Sequence, residues 1–149
     1  MRIRWVGVPR EARKTVRKEL RKATGREFLV CSDKGRDQEI RKNVRESLWA
    51  FNADFIARHA RGDLDASAIK ALKETQEKLC EGANELIFSM VKSFKKLCEE
   101  AVRSDGYGHF LNPYDGNEEE VTVRPEVLEQ LAAIPDAPKA QTFYVYRTN

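Results

Sequence analysis

Seven cationic side chains lie close together near the start of the chain, in the stretch PREARKTVRKELRKATG (residues 9–25). Lys and Arg at this density attract phosphate groups and displace the counterions that surround nucleic acids. On a helix, Ala12, Val16 and Leu20 would share one side while the cations cover the opposite half. The stretch therefore predicts a nucleic-acid-binding face formed by Arg10, Arg13, Lys14, Arg17, Lys18, Arg21 and Lys22.

The same pattern also fits an ordinary solvated helix face, because Lys and Arg are good helix formers. Basic faces occur on many proteins that never meet nucleic acid. Glu11 and Glu19 are too few to neutralise the cations. No aromatic residue interleaves them as a base-stacking platform requires, and Trp5 is expected on the buried side of a strand. Any nucleic acid bound here should therefore be held by its backbone, with little sequence selectivity.

The net charge of +3 conceals an asymmetry along the chain. Residues 1–45 hold fifteen Lys or Arg against six Asp or Glu, a balance of +9, so the rest of the chain carries −6. One end is basic and the other acidic, which is informative about partners rather than about fold.

One short segment, CSDKGR (residues 31–36), has the form of a catalytic thiol loop. A cysteine between a strand and a helix N-terminus is where a thiolate is stabilised and an anion is held. Cysteine phosphatases, however, need Arg at the position where this chain has Asp37, and sulfurtransferases need Gly where it has Lys34. A structural thiol is the favoured interpretation of Cys31, and a cysteine-dependent enzyme is a remote alternative.

The acidic stretch DGYGHFLNPYDGNEEE (residues 105–120) predicts no metal site. Its acids do not alternate as in a calcium loop, and two histidines, His59 and His109, make a zinc site unexpected. We expect Glu118, Glu119 and Glu120 to form a solvated strand edge or an acidic patch that binds a partner. Hydrolase and nucleotide-binding signatures are absent, so we predict no catalytic residues, no metal and no cofactor.

The basic helix is predicted to lie within a β-α-β unit. Alternation in RIRWVGV predicts a strand from Arg2 to Val8. Pro9 suits the start of the helix and Gly25 its end. EFLVC (residues 27–31) has the composition of a short buried strand, and two strands joined by one helix are expected to be parallel.

Three longer helices are predicted next, from Asp37 to Arg58, within residues 63–82, where Asp65 or Ser67 is the expected cap, and within residues 83–106. The third should turn Leu86 and its periodic neighbours toward the core. Cys80 and Cys98 fall on apolar helix faces, as buried thiols usually do.

The first of these helices is apolar on two sides. Trp49 and Ile56 lie nearly opposite the face that carries Ile40 and Val44, so the second side needs a cover of its own. Trp49 and Ile56 are therefore predicted to bind a partner protein or a second copy of the chain in a homodimer.

Residues 105–149 change character to turns and strands. Asn112 to Gly116 predicts a turn that closes through a left-handed glycine, either within a hairpin or in a loop that leads into a strand at Glu120–Val123. PEVLEQLAAIP (residues 125–135) predicts a short helix, and TFYVYRT (residues 142–148) predicts a closing strand that pairs with the earlier ones.

These elements predict one α+β domain over residues 1–149. Its parts are a basic β-α-β segment (1–35), a helical segment (36–104) and a β-rich segment (105–149) that completes a small mixed sheet.

The composition, 41% hydrophobic and 34% charged over 149 residues, suits a soluble globular protein. No apolar run approaches the ~18 residues of a membrane span, and the charged start is not a signal peptide. We expect a cytoplasmic protein with no membrane partner.

Two stretches resemble a known group of proteins: ESLWAFNADF (residues 46–55), and GYGHFLNPYDGNEEEV with FYVYRTN, both within residues 106–149. They resemble a family of small phage- and plasmid-encoded proteins with a GHFL-x-x-YDG…YRTN C-terminal region and no known activity. The resemblance covers roughly the last two-thirds of the chain and excludes the basic β-α-β segment. It implies a mobile-element accessory protein that acts on a host or defence component.

Two functions stay open at this point. The first is a non-enzymatic accessory protein that binds nucleic acid or a nucleoprotein through the basic helix. The second is a protein–protein inhibitor or adaptor that uses Trp49 and Ile56, or the acidic edge at Glu118 to Glu120.

Overall fold

A computed structural model describes residues 1–23, 25–124 and 140–149, which form the predicted α+β fold. The strands are β1 (Arg2–Val6), β2 (Glu27–Cys31), β3 (Glu119–Val123) and β4 (Gln141–Arg147). The helices are α1 (Arg10–Leu20), α2 (Asp33–Ser47), α3 (Ala53–Arg58), α4 (Ala66–Leu79), α5 (Asn84–Met90), α6 (Phe94–Asp105) and α7 (Tyr107–Leu111). The helix predicted in residues 125–135 lies outside the described residues.

The described residues form two compact units. One contains Met1–Glu39 and Tyr107–Asn149, and the other contains Ile40–Gly106. The chain passes from the first unit to the second within α2 and returns just before α7. That the whole chain behaves as a single domain stays a prediction.

A mixed sheet forms the centre of the first unit, with strand order β1-β2-β4-β3. β1 and β2 are parallel, as predicted for the β-α-β unit, and β4 is antiparallel to both of its neighbours. Trp5 lies opposite Val30, which lies opposite Val145, so these three side chains share one face of the sheet. The strands predicted at both ends of the chain are therefore confirmed as members of one sheet.

Helix α1 covers that face. It follows Pro9, whose fixed φ suits a helix start, and it buries Ala12, Val16 and Leu20 completely or nearly so. Burying a Val or Leu side chain contributes about 1.5–3 kcal/mol, which holds the helix on the sheet. The core formed in this way contains Val8, Ala12, Val16, Leu20, Phe28, Val30, Val123, Phe143 and Val145, with Ile3, Trp5 and Val121 packed against it.

The second unit is helical, and two of the three long helices predicted there are interrupted. The first breaks after a 3-10 turn at Leu48–Ala50, because the side chain of Asn52 accepts a hydrogen bond from the backbone N–H of Asp54 and starts α3. The third breaks between α5 and α6, where Ser93 accepts from the backbone N–H of Lys96. The Asp65 cap of α4 is as predicted.

These interruptions change which apolar residues are buried. Ile56 is fully buried, because α3 is a separate helix with its own orientation and does not continue the second apolar side of α2. Leu86 is 50% exposed rather than in the core. Cys80 is exposed as well, because α4 ends at Leu79 and the chain turns away at Cys80 with a φ of 49°.

Candidate nucleic-acid interface

Five of the seven predicted cations lie on the solvent side of α1, opposite its buried stripe, and Arg21 and Lys22 lie in the turn that follows, because the helix ends at Leu20 rather than near Gly25 as predicted. Arg13 is half-buried and the other six are exposed. Among the described residues, only Lys22 of the seven has a carboxylate within ion-pair distance, with Nζ 3.9 Å from Oε1 of Glu19. The helix therefore presents cations that the carboxylates of the described residues leave almost entirely unneutralised.

An aromatic side chain lies beside this basic face. The guanidinium carbons of Arg13 and Arg17 are 5.4 and 5.6 Å from the ring centroid of Trp5, within the range of a cation–π interaction. Nε of Arg13 also donates to the backbone oxygen of Val8 at 3.1 Å. Trp5 therefore packs beneath two of the cations and is not interleaved with them as a base-stacking platform. Trp5 is on the core side of β1, as predicted, but that side is the one that α1 covers.

Two other cations of the basic N-terminal segment, Arg2 and Arg4, are paired with carboxylates of the protein. Arg4 donates from both terminal nitrogens to the two oxygens of Glu39, at 2.8 and 2.7 Å, and this hydrogen bonding raises the pKa of Arg4. Arg2 lies 3.5 Å from Glu27 on the exposed surface. Arg26, Lys34 and Lys42 are also exposed without a described ion pair, but α1 and the turn after it carry the largest group of such cations within residues 1–45.

Cys31 is the last residue of β2, paired with Val6 and Tyr144 in the sheet. Cys31 is completely buried, and burial raises the pKa of its thiol to about 12. The hydroxyl of the following Ser32 accepts a hydrogen bond from the backbone N–H of Gly35 at 3.0 Å. The Ser32 side chain therefore occupies the N-terminus of α2. This environment gives no support to a cysteine nucleophile, since a reactive thiol needs a lowered pKa and access to solvent.

Arg36 of the same segment is held between two aromatic rings. Its guanidinium carbon lies 3.8 Å from the ring centroid of Tyr107 and 3.6 Å from that of Tyr144. Nη1 of Arg36 is 3.3 Å from both carboxylate oxygens of Glu118, and the hydroxyl of the buried Tyr146 donates to the same carboxylate. Burial, together with that hydrogen bond, raises the pKa of Tyr146, so its hydroxyl stays protonated and able to donate.

This cluster separates Glu118 from the two acids that follow it. The carboxylate of Glu118 is paired with Arg36, and its assignment to a partner-binding acidic patch stays a prediction. Glu119 and Glu120 are exposed on β3, which is an edge strand of the sheet. The prediction of a charged strand edge is confirmed for these two residues.

Trp49 is half-buried and lines a groove in the second unit. The groove, about 700 Å³, lies between the segment at Trp49 to Asp54 and helix α4, with Phe51, Ile69 and Lys73 on its walls. Ile56 does not share this surface, because it is fully buried. Of the two predicted contact residues, only Trp49 is accessible to a partner.

Neither histidine brings metal ligands together in the part of the chain that the structure describes. His59 contacts the carboxylate of Glu100, which also accepts from Arg58 at 2.9 Å. No group of three or more His, Cys, Asp or Glu side chains among the described residues could hold a metal ion. Within the same residues, no helix has both the length and the apolar character that a membrane span requires.

Comparison with known proteins finds no match to this chain among protein-family models, curated proteins or solved structures. The resemblance to phage- and plasmid-encoded proteins therefore stays a prediction. The functional argument depends on the geometry of the chain itself.

Proposed function

We propose that this protein is a non-enzymatic binding protein that contacts nucleic acid, free or within a nucleoprotein, through the basic face of α1. The observation that carries the proposal is the near absence of carboxylate partners, among the described residues, for the seven cations of this helix and the turn after it. Elsewhere in the first unit, Arg4 and Arg36 are paired with Glu39 and Glu118. The cations of α1 are therefore available to an anionic partner in a way that Arg4 and Arg36 are not.

The helix also has the rigidity that a phosphate-binding face needs. Ala12, Val16 and Leu20 are buried against the sheet and hold the helix in place. The cations therefore extend into solvent from a helix whose axis is fixed relative to the sheet. Such a face can follow a polynucleotide backbone, and phosphate contacts position a protein without reading sequence. We therefore propose binding with weak sequence selectivity and a strong dependence on salt.

A salt titration tests the proposal. Fluorescence anisotropy would measure binding of the full chain to labelled random-sequence duplex and single-stranded DNA between 50 and 200 mM salt. With six or more phosphate contacts, the affinity should fall by about 10³ or more across this range, because each contact releases condensed counterions. Absence of binding to both probes at 50 mM salt would refute the proposal.

A protein–protein inhibitor or adaptor is the second candidate, and the groove at Trp49 favours it. An accessible Trp in a concave surface is the type of residue that anchors protein interfaces. The exposed acids Glu119 and Glu120 offer a second contact surface. Capture of a defined protein from nuclease-treated host lysate, lost in Trp49→Ala and retained in Lys95→Ala, would support this candidate. A captured protein that disappears after nuclease treatment would instead support nucleic-acid binding.

The biological setting is proposed from the sequence resemblance alone. On that basis the protein is an accessory factor of a phage or other mobile element, acting on a host or defence component in the cytoplasm. The genes that neighbour its own would test this setting directly.

A further inference from the structure

A pocket of about 300 Å³ lies in the first unit, beside the C-terminal end of α1. Phe28 and Val145 of the sheet form its apolar floor. Four charged side chains line its walls, two of each sign: Lys22, Arg147, Asp115 and Glu119. They come from three distant parts of the chain, which the fold brings to one place.

Within the described residues, no ion pair joins the two cations of this pocket to its two carboxylates. Lys22 lies 3.9 Å from Glu19, outside the pocket. The guanidinium carbon of Arg147 lies 3.6 Å from the ring centroid of Tyr114, and its Nε donates to the backbone oxygen of Asn149. Lys22, Arg147 and Asp115 each make contacts of their own, so the four charged groups of the pocket are not joined in ion pairs with one another.

The carboxylate of Asp115 is held in place by a rigid loop. Its Oδ1 accepts from Nδ2 of Asn112 at 2.6 Å and from the backbone N–H of Asn117 at 3.0 Å. Asn112 is 4% exposed, and its own oxygen accepts from the backbone N–H groups of Tyr114 and Asp115. Gly116 closes the loop with a φ of 74°, as the turn prediction required. The pocket is therefore preformed on the side of Asp115, which lowers the entropy cost of binding.

We infer that this pocket takes one unstacked base of a single-stranded nucleic acid whose backbone follows the cations of α1. Lys22 belongs both to the basic face and to the pocket, so one strand can reach both. The inference rests on the proposed function and adds that the protein prefers single-stranded nucleic acid to a duplex.

The chemistry of the lining matches such a ligand. Phe28, a core residue that is 5% exposed, offers the base the part of its ring that lines the pocket, and the carboxylates of Asp115 and Glu119 can accept hydrogen bonds from its amino and imino groups. Lys22 and Arg147 provide cations for the adjacent phosphates. A duplex cannot deliver a base to the pocket without unpairing it, which costs free energy that a single strand does not pay.

Anisotropy measurements with two probes test the inference: a labelled mixed-sequence 12-nucleotide strand and the matching 12-base-pair duplex, both at 50 mM salt. The main variant is Ala23→Phe, because Ala23 is an exposed residue on the pocket wall and a larger side chain there fills the cavity. We expect Ala23→Phe to weaken single-strand binding at least about tenfold and to leave duplex binding within about twofold, as loss of one base contact would do.

A second variant keeps the test independent of any folding defect in Ala23→Phe. Glu119→Gln should weaken single-strand binding, whereas the control Glu120→Gln removes the same charge from the opposite face of β3 and should not. Equal effects of the pocket variants on strand and duplex, or no effect on either, would overturn the inference while leaving the proposed function intact. If wild-type protein binds neither probe, the proposed function fails and the inference fails with it.

Discussion

Nη1 of Arg36 lies 3.3 Å from both carboxylate oxygens of Glu118, a residue 82 positions further along the chain. The contact joins the first turn of α2 to the residue just before β3. Its partners are mostly shielded from water, since the side chain of Arg36 is 14% exposed and that of Glu118 is 25% exposed. An ion pair in this setting contributes more than a surface pair does, and it is the main polar connection described between these two segments.

Removal of Arg36 should destabilise the protein. We expect Arg36→Ala to lower the free energy of unfolding by about 2–4 kcal/mol, because it leaves the partly buried carboxylate of Glu118 without its cation. Arg36→Lys should recover part of this loss, since Lys restores the charge without the planar group between the two rings. Urea unfolding followed by circular dichroism would measure the changes.

A surface pair provides the control for this experiment. Arg2 is 85% exposed and pairs with Glu27 at 3.5 Å, so Arg2→Ala should change the free energy of unfolding by no more than about 0.5 kcal/mol. If Arg36→Ala and Arg2→Ala lower the free energy of unfolding by the same amount, the cluster at Arg36 stabilises the protein no more than a surface ion pair does.

Charge reversal on α1 should abolish nucleic-acid binding without unfolding the protein. Lys14 and Lys18 are exposed and make no ion pair with the described residues, so the double variant Lys14→Glu/Lys18→Glu should keep the fold. We expect its duplex affinity at 50 mM salt to fall by about 100-fold or more, because two phosphate contacts become repulsive. The double variant Lys95→Glu/Lys96→Glu on α6 makes the same change in net charge. An equal loss in both variants would mean that net charge, not the α1 face, determines binding.

The three thiols should differ sharply in reactivity toward iodoacetamide. Cys80 is exposed, whereas Cys31 and Cys98 are buried, and burial raises their pKa values to about 12 and about 11. At pH 8 the buried thiols are almost entirely protonated, and the thiolate is the nucleophile, so only Cys80 should label rapidly. Mass spectrometry should find one fast site in native protein, none in Cys80→Ser and three in urea. Fast labelling of native Cys31 would revive the cysteine-enzyme alternative.

The same burial predicts a loss of stability at alkaline pH. The folded pKa of Cys31 is above its unfolded value, so this thiol contributes stability that is complete below about pH 8.5 and decreases as the pH rises toward 12. Each such thiol should reduce the free energy of unfolding by about 1.4 kcal/mol per pH unit in that interval. Urea unfolding between pH 8 and 10.5 should show a smaller decrease for Cys31→Ala than for wild type. Identical pH dependence would contradict the shift.

A glycine substitution tests the loop that builds the pocket. A Cβ added at Gly108 would lie 2.1 Å from the backbone oxygen of Gly116, so Gly108→Ala forces the backbone of the loop to move. We expect a loss of about 1–3 kcal/mol, typical of overpacking. Gly62→Ala is the control, because nothing lies within 4 Å of its added Cβ and the change should be neutral or slightly stabilising. A neutral Gly108→Ala would show that the loop is not tightly packed.

Local sequence signals predicted the sheet and its covering helix well. Alternation in RIRWVGV, Pro9 before α1 and the apolar stripe of that helix all point to the same β-α-β unit, which the structure confirms. The breaks at Asn52 and Ser93 were missed because the apolar period continues through both positions. A helix N-cap is indicated by a single residue, whereas the apolar periodicity that indicates a continuous helix extends over several turns. The periodicity therefore dominates the prediction at Asn52 and Ser93.

The candidate site was only partly predictable. The basic face of α1 can be predicted from residue type and spacing. Whether its cations form ion pairs depends on which carboxylates the fold places nearby, and the sequence does not show that. Arg36 and Glu118 are far apart in sequence, so their pairing could not be inferred from either segment. The contact of Trp5 with Arg13 and Arg17 arises because α1 crosses the face of β1 that carries Trp5, and that is a property of tertiary packing.

The position of β4 between β2 and β3 has a consequence for synthesis on the ribosome. Residues 141–147 supply the hydrogen-bonding partner of both neighbours, so β2 has one unpaired edge until residues 141–147 have emerged from the exit tunnel. The residues of the helical unit, 40–106, are contiguous and can associate earlier. During translation, the EFLVC strand is therefore the segment with most need of a chaperone, and slower elongation would prolong its exposure.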